Sequence, residues 1–318
     1  MKTGAIPAIG HFVWLGQDFP WLYSVAVRSA MKRGGFERIV LHHDGQVLDG
    51  NSRSEAFARL LEVEGVTASR IAVPSLCHRA GVAAAPIEDL LLRLRSPAAR
   101  ANVLRILILA AHGGVYLDTD TITQRPFREF IDEGGIFVGE ERVVFPGLVA
   151  RTRNPLVKGR SYLLAAFREV FNLFDAGAVA YTWIEKLYPV AVNNAVMGGP
   201  PQHRFWEELL SAMVAMPPQQ QLKRFALGTH LLQEKVASYL GRDLRVLPPE
   251  VFFPIGPGLS KHWFRRRKDI RLPRSLASTV SVHWYASAAG ADLDAIDSSY
   301  VKIHAENQWL SHLALPYC

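Results

Sequence analysis

Between Ser96 and Thr123 the chain reads SPAARANVLRILILAAHGGVYLDTDTIT, and this run constrains the fold more than any other. Ser96 and Pro97 suit the N-cap and first turn of a helix, apolar residues follow at 103, 104, 106, 107, 108 and 110, and Gly113-Gly114 stops it. Val115-Tyr116-Leu117 then predicts a short buried strand. Strand side chains alternate, so Asp118 and Asp120 point the same way at its C-terminal end. Two carboxylates placed side by side have little reason to be adjacent unless something cationic lies between them. A hard divalent ion such as Mg²⁺ or Mn²⁺ takes oxygen ligands, commonly one or two carboxylates plus substrate phosphates. The C-terminal edge of the strands is also where open α/β sheets bind ligands. The plainer reading of Asp-Thr-Asp is a solvated turn, since the pattern alone is weakly specific.

The rest of the chain supports an α/β reading. Residues 6–16 form a buried-strand pattern closed by Gly16, 21–32 a helix, and 38–45 a second strand ending in a turn. Strand, helix, strand is the opening of a nucleotide-binding half of an open parallel sheet. The absence of GxGxxG and of a P-loop disfavours dinucleotide oxidoreductases and P-loop kinases. Short amphipathic helices are expected at 54–63 and 87–95, with a small strand at 71–74. Strands are expected at 135–139 and 142–150, leaving Glu140-Glu141 in the turn between them, either solvated or offering a carboxylate to the site. A helical stretch follows at 156–175. A late strand is expected at 280–287, where alternation puts Val280, Val282 and Trp284 on one face and Ser281, His283 and Tyr285 on the other.

Length and charge narrow the partners. At 318 residues and 49% apolar content the chain has the means to bury a real core. With 36 Lys+Arg against 29 Asp+Glu the net charge is +7, which favours anionic partners: nucleotide diphosphates, acidic glycans or anionic membrane surfaces. The dense basic run is 261–268, KHWFRRRK. It reads as a loop closing over a diphosphate, with Trp263-Phe264 packing it down, as a patch on an anionic surface, or as a solvated loop. Nucleic acid is not expected, because no recognition motif accompanies the run. Two cysteines, Cys77 and Cys318, make neither a disulfide framework nor a zinc site, so a reducing compartment is expected. No signal peptide is visible, and no apolar stretch approaches the roughly 20 residues of a membrane span. The expected location is cytoplasmic, free or peripheral at the inner membrane face, with a secreted effector lacking a recognisable signal as the alternative.

The run from Arg105 to Asp120, ending GGVYLDTDT, resembles the signature of the DXD-containing sugar transferases of the fungal initiating α-1,6-mannosyltransferase type. Related motifs occur in the animal α-1,4-galactosyl- and α-1,4-N-acetylglucosaminyltransferases and in the glucosyltransferase domains of large clostridial toxins. The resemblance implies a GT-A architecture, a Rossmann-like, mostly parallel sheet flanked by helices with helical additions. It implies one catalytic domain over 1–318, with a donor-binding half (1–125) and an acceptor-side half (126–318) that carries a C-terminal metal or diphosphate strand. The activity it implies is metal-dependent, retaining transfer from a UDP- or GDP-sugar to a glycan, lipid-linked or protein acceptor.

The resemblance also assigns residues. Asp118, Asp120 and the late His283 are the implied ligands of Mn²⁺ or Mg²⁺. Asp118, Asp120 and Asn194 form the implied catalytic set. Trp14, Asn102, Arg105, Tyr116 and Asp118 form the implied donor-binding set, with Trp14 stacking on the donor base where a core tryptophan is the plainer alternative. Asn194 sits in a segment, 193–205, resembling the family's second motif, as a sugar contact or as a turn asparagine. Residues 228–230 resemble a further short motif that opens a helix, and 246–254 resemble the family's late strand. The chain departs from the pattern twice. Ala101-Asn102 stands where relatives carry Ser-Asp, so an amide replaces the carboxylate that grips a sugar hydroxyl, and Asn102 shares a helix face with Arg105 at i, i+3. Ser287 is followed by Ala288, not by the tryptophan relatives often place near it. Rival readings are a metal-dependent sugar-nucleotide hydrolase or pyrophosphorylase, and a non-catalytic module binding a nucleotide sugar or glycan.

Overall fold

The structure is a computed structural model that describes residues 4–48, 54–144, 152–268, 270–288 and 292–318. Strands β1 (Ile9–Trp14), β2 (Arg38–His43), β3 (Val66–Arg70) and β4 (Gly114–Leu117) are joined through helices that include α1 (Trp21–Arg33), α2 (Glu55–Leu60), α3 (Val73–Ala80), α4 (Ala84–Arg93) and α5 (Pro97–His112). After β5 (Thr121–Thr123) come β6 (Ile136–Arg142), β7 (Val190–Gly199), β8 (Leu244–Leu247) and β9 (Ser281–His283). Seven strands make one sheet in the order β3-β2-β1-β4-β7-β6-β8, and β5 pairs separately with β9. Within the seven, only β7 runs antiparallel to its neighbours, β4 and β6. This is the mostly parallel, helix-flanked sheet expected of a GT-A architecture. It runs without a break across residue 125, so strands from both expected halves share one ladder.

The sequence explains why the sheet is covered on both sides. Central strands such as β4 are buried along their whole length, the pattern of a sheet packed between two helix layers. One layer joins α5 to the helix Arg204–Ala215 through Leu104, Leu107, Trp206 and Leu210. The opposite layer joins α1 to an aromatic cluster of Phe36, Phe127, Phe137 and Phe252. A third core, built on Trp263, Trp284 and Trp309, holds the C-terminal segments against α1 and the helix Pro155–Phe171.

Helix α5 drives straight into the site strand. Eight consecutive residues, Val103 to Ala110, are buried, Arg105 among them. Gly113 and Gly114 turn the chain at positive φ, +64° and +95°, where a side chain is strained. A Cβ there would also meet Pro201 and the Ile9 carbonyl oxygen at 2.5 Å. His11 braces this turn, its Nε2 donating to the Gly113 carbonyl at 3.0 Å. That fixes its tautomer, so Nδ1 accepts from His42 Nε2 at 3.0 Å.

Several expected boundaries differ. The small strand expected at 71–74 lies upstream as β3, because Pro74 takes the first turn of α3, where its missing N–H costs nothing. The late strand at 246–254 stops at Leu247, and Pro248-Pro249 opens a helical turn, Pro249–Phe252. One strand, β6, runs through Glu140-Glu141 instead of turning there, with a register shift at Val138/Gly139 against β7. The remainder of the strand expected at 142–150 lies largely outside the described residues. The strand expected at 280–287 is the short β9, after which Tyr285 takes φ +57° and the chain turns.

Candidate active site

Asp118 leaves the end of β4, its backbone N–H bonded to the Ala195 carbonyl of β7 at 2.8 Å. Arg105 reaches it from α5, with Nη2 at 3.0 Å from Oδ1 and Nη1 donating to Oδ2 at 3.4 Å. The same guanidinium donates to the Ala101 and Asn194 carbonyls and lies 4.7 Å over the Tyr116 ring, while the Tyr116 hydroxyl donates to Asp118 Oδ1 at 2.7 Å. Arg105 and Tyr116, stacked on each other, therefore fix one carboxylate.

Asp120 is fixed by a different set. β5 pairs antiparallel with β9, so Thr121 lies opposite His283. His283 Nε2 is 3.0 Å from Asp120 Oδ1, the Ala286 N–H donates to Oδ2 at 2.8 Å, and the Trp284 N–H donates to the Asp120 carbonyl at 3.0 Å. One ligand atom each from Asp118, Asp120 and His283 lies within 4.8 Å of the others. His283 Nδ1 is buried without a hydrogen-bond partner.

The electrostatics are those of charges gathered out of water. Burial raises Asp118 above its ordinary range, and Arg105 offsets only part of this. Burial pushes Asp120 the same way, but His283 and the Ala286 amide outweigh it and hold Asp120 low. Burial disfavours the His283 cation, yet Asp120 dominates and raises its pKa. These directions describe opposite charges sharing a low-dielectric pocket.

Asn102 and Asn194 meet directly, with Asn194 Nδ2 donating to Asn102 Oδ1 at 2.8 Å. Gly228 packs against this pair, where a Cβ would stand 3.0 Å from the Asn102 amide. The expected residues Asn102, Arg105, Tyr116, Asp118, Asp120, Asn194 and His283 thus form one connected constellation. Trp14 stands at the C-terminal end of β1, the edge at which parallel β4 also ends. Its ring packs on Phe19 and Tyr23 at 4.7 and 4.9 Å, Tyr23 packs on Trp284 at 5.9 Å, and Trp14 Nε1 is buried without a partner.

Two segments differ from their expected places. Glu141, buried inside β6, accepts from the Tyr285 hydroxyl at 2.7 Å, and Tyr285 lies 4.0 Å from the His283 ring. Burial raises the Glu141 carboxyl despite bonds from Tyr285 and Asn193. The available signal was alternation, which put Tyr285 on the His283 face. The basic run is a second correction. It is not a loop free to fold over a diphosphate, because Lys261–Phe264 is helical, Trp263 is fully buried, and Arg267 lies 3.8 Å over the Trp309 ring with bonds to the His262, Arg265 and Asp175 carbonyls.

Residues 41–136, from β2 through the carboxylate pair, match the family described as glycosyltransferase sugar-binding region containing DXD motif. The matched region spans just under a third of the chain and holds the Asp118–Asp120 pair. Among solved structures the chain is similar to the PaToxG glycosyltransferase, at 13% identity over 99% of this chain and 89% of that one, with a TM-score of 0.47. It is also similar to the ligand-free glycosyltransferase domain of the YGT toxin, at 10% identity over 76% and 80% of the two chains and a TM-score of 0.46. Mouse xyloside xylosyltransferase 1 in its apo form is similar at 16% identity over 76% and 85%, with a TM-score of 0.42. No curated protein matches the chain.

Proposed function

We propose that the protein is a metal-dependent, retaining glycosyltransferase that moves a sugar from a UDP- or GDP-sugar to a glycan, lipid-linked or protein acceptor. The observation that carries the proposal is the convergence of Asp118, Asp120 and His283 at the ligand-binding edge of the sheet. The donor set fits Mn²⁺ or Mg²⁺. Two carboxylates and an imidazole nitrogen, with one ligand atom each within 4.8 Å of the others, are the oxygen-rich set that would hold such an ion together with donor phosphates. When bound, such an ion neutralises the leaving diphosphate as the anomeric bond breaks.

The chain's own residues would do the rest. Arg105 and Tyr116 hold Asp118, and His283 and the Ala286 amide hold Asp120, so the carboxylates are oriented before a donor arrives. The Asn102–Asn194 pair offers donors and acceptors to sugar hydroxyls. Trp14 serves as the platform for the base, on the same sheet edge. The motif spelling at 105–120 supports a transferase of the fungal α-1,6-mannosyltransferase type. The purified chain with Mn²⁺ and a panel of UDP- and GDP-sugars, with and without acceptor extract, tests the reading. Acceptor-dependent transfer with retained anomeric configuration by NMR is expected. Free sugar released equally with and without acceptor would make the protein a hydrolase instead.

A further inference from the structure

Along the helix Pro155–Phe171 only Ser161 and Leu164 are buried. Leu156, Leu163, Phe167 and Val170, at i, i+7, i+11 and i+14, fall within about 60° of one another on a helix that turns 100° per residue. All four are exposed, Leu156 at 81%, and Leu173 at 79% and Trp183 at 87% extend the apolar surface beyond the helix. The Tyr188 hydroxyl, bonded to the Leu164 carbonyl at 2.9 Å, ties the Trp183 segment to this helix. An exposed apolar stripe of this kind marks an interaction site.

Its border is cationic. Arg160 flanks the stripe at about 40° from Leu156 on the helix, Arg153 is exposed just before the helix and Lys186 on the Trp183 segment, while Lys158 faces the other way. At the helix C-terminus His262 bonds the Phe171 carbonyl at 3.0 Å and Arg265 the Asn172 carbonyl at 2.7 Å, which docks the basic run 261–268 beside the stripe. That run adds exposed Lys261, Arg266 and Lys268. The exposed acids on the helix and just beyond it, Glu169 and Asp175, lie 2.7 Å from Arg168 and 3.7 Å from Arg265.

We propose that this face is an interfacial docking surface for an anionic lipid bilayer, with the apolar stripe set into the headgroup region and the surrounding cations on lipid phosphates. Leucines, a phenylalanine and a tryptophan bordered by Lys and Arg are the composition of elements that lie in a membrane interface. Among the described residues no helix is long and apolar enough to cross a membrane. A second copy of the chain is the poorer occupant, because a two-fold contact sets the same cationic border against itself. The proposal stands apart from the sugar-transfer reading, since none of these residues touches Asp118, Asp120 or His283.

The test is co-sedimentation of the full chain with phosphatidylglycerol–phosphatidylcholine vesicles and with phosphatidylcholine vesicles alone, together with tryptophan quenching by brominated lipid. Binding to the anionic vesicles should be at least about ten-fold stronger. Leu163→Glu with Phe167→Glu should lower it by about ten-fold or more at unchanged melting temperature, since both side chains are exposed. Trp183→Phe should remove most of the quenching, a readout that holds even if the double variant folds poorly. Absence of vesicle binding overturns the proposal, as does equal binding by the double variant. A concentration-dependent dimer that Leu163→Glu with Phe167→Glu abolishes also overturns it, by giving the face to a second copy.

Discussion

Lowering the pH from 7.5 to 5.0 should destabilise this protein through the histidine pair that braces the strand carrying Asp118. His11 donates from Nε2 to the Gly113 carbonyl and accepts at Nδ1 from His42, so a proton added at Nδ1 would set two N–H groups against each other. Burial, with the charges of His112 and His43, pulls His42 down to about 3. Burial and His42 likewise hold His11 well below its ordinary value. A histidine lowered in the folded state stabilises fully above its unfolded pKa near 6.5, and that contribution is lost as pH falls, because only the unfolded chain takes up the proton. From pH 7.5 to 5.0 the loss is about 2 kcal/mol for each such histidine. His42→Gln retains a donor toward His11 but removes one titrating group. Urea unfolding of both proteins at both pH values, in EDTA, should therefore show a pH-dependent loss about 2 kcal/mol larger in the wild type. A difference below about 0.5 kcal/mol would refute the reasoning and make His42 solvent-accessible in solution.

Three further outcomes are expected. Calorimetry should show UDP or GDP binding strengthened by Mn²⁺ in the wild type and about ten-fold less so in Asp120→Asn; equal metal dependence removes Asp120 from the ligand set. Arg105→Met leaves the Asp118 carboxylate unpaired, and because that side chain keeps 24% exposure the loss should sit near the low end for a broken buried pair, about 3 kcal/mol by thermal or urea unfolding. A loss below about 1 kcal/mol would mean that solvent, not Arg105, compensates Asp118. Trp14→Ala should weaken nucleotide binding by roughly 1–3 kcal/mol with the fold intact; unchanged affinity makes Trp14 a packing partner of Phe19 and Tyr23.

What the sequence made legible was local. Spacing marked Asp118 with Asp120 and His283 with Tyr285 as neighbours, but strand alternation is not the reason: β4 ends at Leu117, so the two carboxylates flank a turn, and β9 ends at His283, so Tyr285 lies past it at φ +57°. The antiparallel course of β7 was not legible, since an apolar run carries no mark of direction. Glu141 was hidden by Gly139, which reads as a turn. In the fold Gly139 marks a register shift where the Phe252 and Phe253 rings approach so closely that a Cβ would stand 2.7 and 2.8 Å away. Charge density in KHWFRRRK suggested a solvated or mobile segment, whereas Arg267 is stacked on Trp309, a partner no local pattern reveals. The helix expected at 156–175 carried no sign that Leu163 and Phe167 stand exposed, because periodicity says that a face is apolar but not what covers it.

The pairing of Asp120 with a histidine 163 residues downstream also sets the order in which the site is built. Arg105 lies only 13 residues from Asp118, so one carboxylate acquires its partner almost as soon as the first strands leave the ribosome. β4 then waits for β7, and Asp120 waits for β9. At 5–20 residues per second, the interval between synthesis of Asp120 and of His283 is roughly 8–30 s. Until β7 is made the β4 edge is unpaired, and until His283 is made the carboxylate pocket is half built. The site is therefore complete only when its last segment closes over its first.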